Sequence, residues 1–244
     1  MADPVFDAFF APRGVAIVGV SHDPAKLGYG LARNLVRSGY RGAIHLVNPQ
    51  GGTLFDRPLH PNIAAVPDPV DLAVLAAPAA AIADALYACH DRGILAVIVA
   101  SGGFKEVGAA GAALEMECAA IARELGVRIL GPNCIGLLDT HLPIDTSFLP
   151  PPAPGPGEIA FLSHSGAICG AVVDLANGRG FGLSRLVSLG NQAGLTEADF
   201  LDPVADDPYT RVITLYLEGV GDGPKFVETA AAVSRRIPII VLKA

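Results

Sequence analysis

The sequence predicts an α/β protein built as two successive doubly wound units, and three observations carry that prediction. Short apolar runs rich in Val, Ile and Ala recur at 15–18, 44–47, 72–76, 96–100 and 128–130 without polar alternation, the pattern of parallel strands covered on both faces. Helical stretches at 31–37, 79–92 and 109–125 lie between them, each followed by a glycine (Gly39, Gly93, Gly126) suited to the left-handed helix stop. The alternation halts over 139–157 and then restarts. Strands separated by helices imply right-handed crossovers and a parallel sheet.

The second series runs 158–162, helix 167–177, 183–188, helix 197–206, 212–217, helix 224–236 and 239–242. Between the series stands Pro150-Pro151-Pro152-Ala153-Pro154-Gly155-Pro156-Gly157. Proline has no amide donor and a fixed φ, so this run is expected to hold neither a helix nor an interior strand and to act as a semi-rigid linker. The expected organisation is a first domain over 1–140, a linker over 141–157 and a second domain over 158–244. That second domain has four strands and closes on one with no covering helix, so it is expected to be incomplete at its C-terminus.

Composition narrows the function. Of 244 residues, 51% are hydrophobic and 17% charged, with 28 Gly and 20 Pro, which excludes an intrinsically disordered chain. A net charge of −7 argues against nucleic acid, which selects clustered basic faces. The longest apolar stretch, 72–82, falls short of the roughly 20 residues a bilayer needs and is broken by Pro78. The opening Met-Ala-Asp-Pro-Val-Phe-Asp lacks a basic segment, so no signal peptide is expected. Cys89, Cys118, Cys134 and Cys169 are scattered without a CxxC pair. Neither a structural metal nor a disulfide framework is expected, and a reducing cytoplasm is the simplest setting.

Candidate chemistry sits at strand ends. The first strand runs into Gly19-Val20-Ser21-His22-Asp23-Pro24-Ala25-Lys26-Leu27-Gly28-Tyr29-Gly30, where glycines let backbone N–H groups and a helix terminus approach a phosphate. The turn is longer than G-x-G-x-x-G. The second strand ends in Asn48-Pro49-Gln50-Gly51, with no carboxylate for a ribose. Nicotinamide binding is therefore disfavoured, while another nucleotide, or a plain strand-to-helix turn, stays open. Further strand ends carry Ala76-Ala77-Pro78, Ser101-Gly102-Gly103-Phe104 and Gly131-Pro132-Asn133-Cys134. Small residues there suit a slender ligand lying along the backbone, and a lone Cys134 is more often packing than a nucleophile.

In the second unit, Ser163-His164-Ser165-Gly166 opens a helix. It reads as an anion site or as a simple N-cap. A hydrolase elbow fails because Ser163 replaces the first glycine. His164 beside such a cap is expected to be solvated. Glu218, followed by Gly219-Val220-Gly221, is placed to orient a histidine or a metal, or to stay solvated.

Taken in order, Phe10-Ala11-Pro12-Arg13-Gly14, Val47-Asn48-Pro49, Ser101-Gly102-Gly103-Phe104, Gly131-Pro132-Asn133-Cys134, Ser163-His164-Ser165-Gly166, Leu189-Gly190-Asn191 and Leu217-Glu218-Gly219 resemble the NDP-forming acyl-CoA synthetases, over essentially the whole chain. The resemblance implies a CoA-binding Rossmann-like domain followed by a flavodoxin-like ligase domain. It implies that CoA contacts Gly19, Ser21, Lys26, Gly28, Asn48 and Gln50 with its nucleotide end. The pantetheine arm would pass Pro78, Ser101 and Gly102, and the thiol would arrive near Asn133 and Cys134. Members often carry Lys where Gln50 stands.

In that family a phosphoryl group passes between an acyl phosphate, a histidine and ADP. Ser163, Ser165 and Gly166 resemble the helix terminus that holds the phosphohistidine, and Glu218 the acid that orients it. The family's active histidine lies in a Ser-His-Thr-Gly type motif that none of the six histidines here matches. ATP or ADP and Mg2+ would be bound by an ATP-grasp portion, also outside this sequence. The expectation is the CoA-binding part of an ADP-forming acyl-CoA synthetase, oligomeric, acting on a small acyl substrate and partnered by an ATP-grasp domain or subunit. The alternatives are a CoA- or acyl-CoA-sensing module of a protein acetyltransferase and, less favoured, an NAD(P) oxidoreductase.

Overall fold

The computed structural model of the chain describes residues 5–244; residues 1–4, the start of the opening read above as no signal peptide, lie outside them. Two sheets form. The first joins β1 (Gly14–Val18), β2 (Ala43–Val47), β3 (Thr53–Leu54), β4 (Arg57–His60), β5 (Leu72–Leu75), β6 (Ala96–Val99) and β7 (Arg128–Leu130). Their order is β3-β4-β2-β1-β5-β6-β7, parallel except for the β3–β4 edge hairpin. Helices α1 (Val5–Phe10), α2 (Leu27–Arg37), α3 (Ile82–Asp91) and α4 (Ala109–Leu125) accompany it. Four-residue strands such as β5 and β6 are buried at every position, which is why their sequences show no alternation. Gly39, Gly93 and Gly126 all take positive φ at the ends of their helices, as expected.

The second sheet joins β8 (Leu137–Asp139), β9 (Ile144–Asp145), β10 (Pro156–Ser163), β11 (Leu183–Ser188), β12 (Val212–Leu217) and β13 (Ile239–Lys243), with α5 (Gly166–Arg179), α6 (Glu197–Ala205) and α7 (Gly223–Val233). Its order is β13-β12-β10-β11-β8-β9. The inner strands are parallel, and β8 and β9 attach antiparallel at the β11 edge. In each sheet β1 or β10 has the next parallel strand of the chain, β2 or β11, on one side and a later one, β5 or β12, on the other. That reversal opens a crevice at the carboxyl ends of β1 and of β10.

Several expectations need correction. The four strands expected over 158–244 are present as β10–β13, but the second sheet gains two more from the preceding stretch: β8 and β9 are only three and two residues long and leave no run to read. The proline-rich segment does enter a strand: β10 starts at Pro156, where a strand's first residue needs no donor. The remainder is pinned, not free. Asn34 of α2 donates to the Ser147 and Leu149 carbonyls at 2.9 and 2.8 Å, and Asn177 of α5 donates to the Pro152 carbonyl at 2.9 Å. The stretch 79–92 begins as a 3-10 turn, Ala79–Ala81, before α3. Helix α2 starts at Leu27, earlier than 31, so Gly28 and Gly30 are helical.

The two halves share one core. Phe6, Phe9 and Phe10 of α1 surround Phe200 of α6 at centroid distances of 5.3, 6.1 and 6.1 Å, all edge-on, the arrangement aromatic quadrupoles favour.

Asp145, at the end of β9, is buried near this junction, and its carboxylate accepts a hydrogen bond from the Ser147 N–H at 2.8 Å. Desolvation raises its pKa from 3.8 to about 6 against the weaker pull of Ser147 and Arg33. A carboxyl raised on folding favours the folded state in its neutral form, and that advantage is lost as pH rises through about 6. The stability of Asp145→Asn relative to the parent should therefore increase by about 2 kcal/mol between pH 4 and pH 7. Urea titrations at several pH values measure this, and a pH-independent difference would contradict it.

Candidate functional site

The first crevice is built by backbone proximity. Gly19 ends β1 with φ +88, and a Cβ on Gly28 would lie 2.1 Å from the Gly19 carbonyl oxygen and 2.8 Å from the Val20 Cα. Only glycine lets the first turn of α2 press onto the strand end. The intervening loop is held by its own side chains. Ser21 Oγ accepts from Asp23 N–H at 3.1 Å, and Asp23 Oδ1 accepts from Ala25 N–H at 2.9 Å. Lys26 caps α2 with extended backbone and an exposed ammonium group, with no side-chain cap bond. Asn48 ties the next strand end to this loop, donating to the Val20 carbonyl at 2.7 Å and accepting from Gln50 N–H at 2.8 Å. Gln50 is exposed. The unexpected hairpin closes over the loop, with His22 Nε2 2.8 Å from the Thr53 carbonyl.

Pro78 is exposed at the end of β5. Ser101 at the end of β6 is buried, and its hydroxyl donates to the Ala77 carbonyl at 2.5 Å, so it ties two strand ends together. Gly102 is exposed; a Cβ there would sit 3.3 Å from Asn133 Oδ1. Asn133 itself is exposed at φ +55, a left-handed conformation that Asn tolerates better than most residues. Cys134 is 3% exposed, its Sγ lies 3.4 Å from the Val99 carbonyl, and burial pushes its thiol up to about 12. It is packing.

In the second crevice, Ser163 ends β10 fully buried. Its hydroxyl donates to the Ser165 carbonyl at 2.9 Å and accepts from Ser165 N–H at 3.0 Å. Ser163 shapes the turn. Ser165 is the N-cap of α5, accepting from Ile168 N–H at 3.4 Å, and Gly166 is the first helical residue. The terminus of this 14-residue helix is a favourable place for an anion.

His164 is not solvated as expected. Its side chain is 6% exposed, with Nε2 3.3 Å from Glu197 Oε2, while Nδ1 accepts from Glu218 N–H at 3.2 Å. With both ring nitrogens engaged, it is closed to phosphorylation in this geometry. Glu197 is 1% exposed, and despite that burial the hydrogen bonds from His164 and Gln192 help hold its pKa below the usual carboxylate range. The sequence offers no sign of this role, because Glu197 reads as an ordinary acid in the first turn of α6. Glu218 is exposed just past β12. Its carbonyl accepts from Lys243 Nζ at 3.1 Å. Among the described residues its carboxylate has no hydrogen-bond or ion-pair partner.

Two clefts collect these groups. A polar one of about 710 Å³ is lined by His164, Ser165, Gln192 and Glu218, among others. A mostly apolar one of about 480 Å³ is lined by Leu27, Gly102, Cys134, Phe148 and Gly166. Asn133 lines both. At the seam, Asn191 donates to Glu106 and Glu115, each at 2.7 Å, and Asn133 Nδ2 lies 3.4 Å from Asn191 Oδ1. Glu106 and Glu115 were not picked out from the sequence; Asn191 entered only as part of a motif.

Comparison with known proteins places this geometry. Residues 13–140 match a family described as a CoA binding domain, and residues 156–244 one described as a succinyl-CoA ligase like flavodoxin domain. The chain is 40% identical over 238 residues to acetate–CoA ligase [ADP-forming] I of Archaeoglobus fulgidus, covering 98% of this chain and 34% of that protein. It is 39% identical over 242 residues to the alpha subunit of acetate–CoA ligase [ADP-forming] I of Pyrococcus furiosus, covering 98% and 52%. The dinucleotide forming acetyl-coenzyme A synthetase 1 of Ca. Korarchaeum cryptofilum, solved with phosphate and ADP, superposes with a TM-score of 0.93 at 37% identity, over 100% of this chain and 52% of that one. The chain thus spans between a third and about half of these relatives. Both domain types in this order, with relatives of one kind along nearly its whole length, mean that the chain belongs to the NDP-forming acyl-CoA synthetase superfamily.

Proposed function

We propose that this chain is the CoA-binding part of an ADP-forming acyl-CoA synthetase, with a first domain that holds CoA and a second that receives the phosphohistidine. The observation that carries the reading is Asn133, shared by an apolar cleft and a polar one. On this reading the nucleotide end of CoA lies on the loop from Gly19 to Gly28, beside Lys26 and Asn48. Its pantetheine arm runs past Pro78 and Gly102 through the apolar cleft, whose walls Leu27 and Phe148 suit a slender aliphatic chain. The thiol then reaches Asn133 at the edge of the polar cleft.

There the N-terminus of α5 and the Ser165 cap would hold the phosphoryl group. The free carboxylate of Glu218 would accept the N–H of the incoming histidine ring and set its orientation. ATP or ADP and Mg2+ belong to an ATP-grasp domain or subunit, in keeping with the relatives' greater length. In the net reaction acid, CoA and ATP exchange with acyl-CoA, ADP and phosphate. Four free, buried cysteines suit a reducing cytoplasm.

Titration calorimetry tests the first half of the reading: CoA should bind and NAD should not. Gly28→Ala should weaken CoA about 10- to 100-fold, because α2 must back away from the Gly19 carbonyl and misalign the loop. NAD binding without CoA binding would reverse the assignment.

A further inference from the structure

We propose that His164 is a positioning residue for the phosphohistidine site, holding Glu218 in place and keeping the buried Glu197 turned away from the phosphoryl group. This rests on the proposed function above. The geometry is specific. Nδ1 accepts the Glu218 N–H at 3.2 Å, so the ring proton sits on Nε2, which faces Glu197 Oε2 at 3.3 Å. The imidazole thereby joins the end of β12 to the start of α6 across the floor of the polar cleft.

Among the described residues Glu218 is held through its backbone. His164 takes its N–H, and Lys243 Nζ donates to its carbonyl. After Glu218 come Gly219, Val220 and Gly221, a segment with little stiffness of its own. Without the ring, the Glu218 N–H loses its partner and the carboxylate loses a fixed origin. The second contact matters for charge. Glu197 lies beside a cleft proposed to hold a phosphoryl dianion, and a bare carboxylate there would repel it. Two donors, His164 Nε2–H and the Gln192 amide, point at Glu197 Oε2 and occupy it. The other charged groups on this cleft are Lys105, which pairs with Glu115 at 3.5 Å, and Glu106, which is bound by Asn191. Neither touches His164.

The test uses the complete enzyme, with its ATP-grasp portion, and reads two quantities: CoA affinity by calorimetry and the rate of phosphoenzyme formation with labelled ATP. His164→Leu removes both polar contacts and should slow phosphoenzyme formation about 10- to 100-fold, with CoA affinity unchanged within about twofold. His164→Gln carries an amide oxygen and an amide N–H, and should restore the rate to within about threefold. His164→Ala repeats the loss should Leu be too bulky beside Glu197. A rate equal to the parent's in Leu or Ala overturns the inference, as does failure of Gln to restore it. Loss of CoA affinity together with rate in Leu and Ala makes the role structural and overturns it too. These outcomes differ from failure of the underlying reading, in which the unmodified enzyme itself binds no CoA or forms no phosphoenzyme.

Discussion

Replacing Glu218 with Gln should reduce phosphoryl transfer in the complete enzyme about 100- to 10,000-fold while leaving CoA affinity unchanged. The carboxylate stands at the carboxyl edge of β12, its backbone held on both sides by His164 and Lys243, with no side-chain partner among the described residues. A carboxylate so placed can only accept hydrogen bonds, so it selects the ring tautomer whose N–H points toward it and stabilises positive charge on that ring. Glutamine keeps the volume but drops the charge, and its NH2 group can turn a donor toward the ring N–H. Loss of a carboxylate that orients a reacting imidazole costs a factor of this size where the ring must be held in one tautomer. On the proposed reading the CoA contacts lie along the apolar cleft and the first loop, so calorimetry with CoA serves as the control. A fall of less than threefold in phosphoenzyme formation would remove Glu218 from the role.

How much of this could be read from the sequence follows from the physics of each element. Strands that carry a continuous apolar run were legible, at a sheet edge as well as inside it: the bounds of β7, β11 and β12 match the expected 128–130, 183–188 and 212–217. The shortest pieces were not. β3, β8 and β9 are two or three residues long and form only because longer neighbours offer them a ladder. The segment 27–30 read as loop because glycine is a poor helix former, yet Gly28 is helical since no other residue could approach Gly19 so closely.

The same division holds in the site. Glu218 and Ser165 sit at strand and helix ends, where position alone implies a role. His164 next to Glu197 joins residues 33 apart in sequence. No local pattern encodes that; the fold sets the first turn of α6 beside the residue that follows β10. Cys134 follows the packing reading that a lone cysteine favours: its side chain turns inward to the Val99 carbonyl, although the residue lines the apolar cleft.

The alignment of the two clefts depends on a residue in neither, and removing it should be the most destabilising single change considered. Arg185, in β11, is 6% exposed. Its Nε donates to Asp139 Oδ2 at 2.7 Å, one terminal nitrogen donates to the Pro203 carbonyl at 3.0 Å, and the other lies 3.7 Å from Asp207 Oδ1. The guanidinium carbon lies 4.0 Å from the Phe10 ring centroid. One side chain thus joins β8, β11, the end of α6 and α1, the helix whose phenylalanines carry the first half onto Phe200. Both carboxylates are nearly inaccessible, at 2% and 4% side-chain exposure. Arg185→Met would fill the volume and leave two buried negative charges without their cation, at a cost of about 3–5 kcal/mol. Arg185→Lys keeps the charge but cannot fork to both acids and stack on Phe10, so it should fall between Met and the parent. Denaturant melts give these differences, and a loss under about 1 kcal/mol for Met would show that water reaches the acids. The functional consequence separates this effect from simple loss of fold. If α1 loosens before the sheets melt, hydrogen exchange should quicken first at the amides of α1 and β8. CoA affinity should survive in the native fraction, while phosphoryl transfer, which on the proposed reading needs both clefts in register at Asn133, should decline.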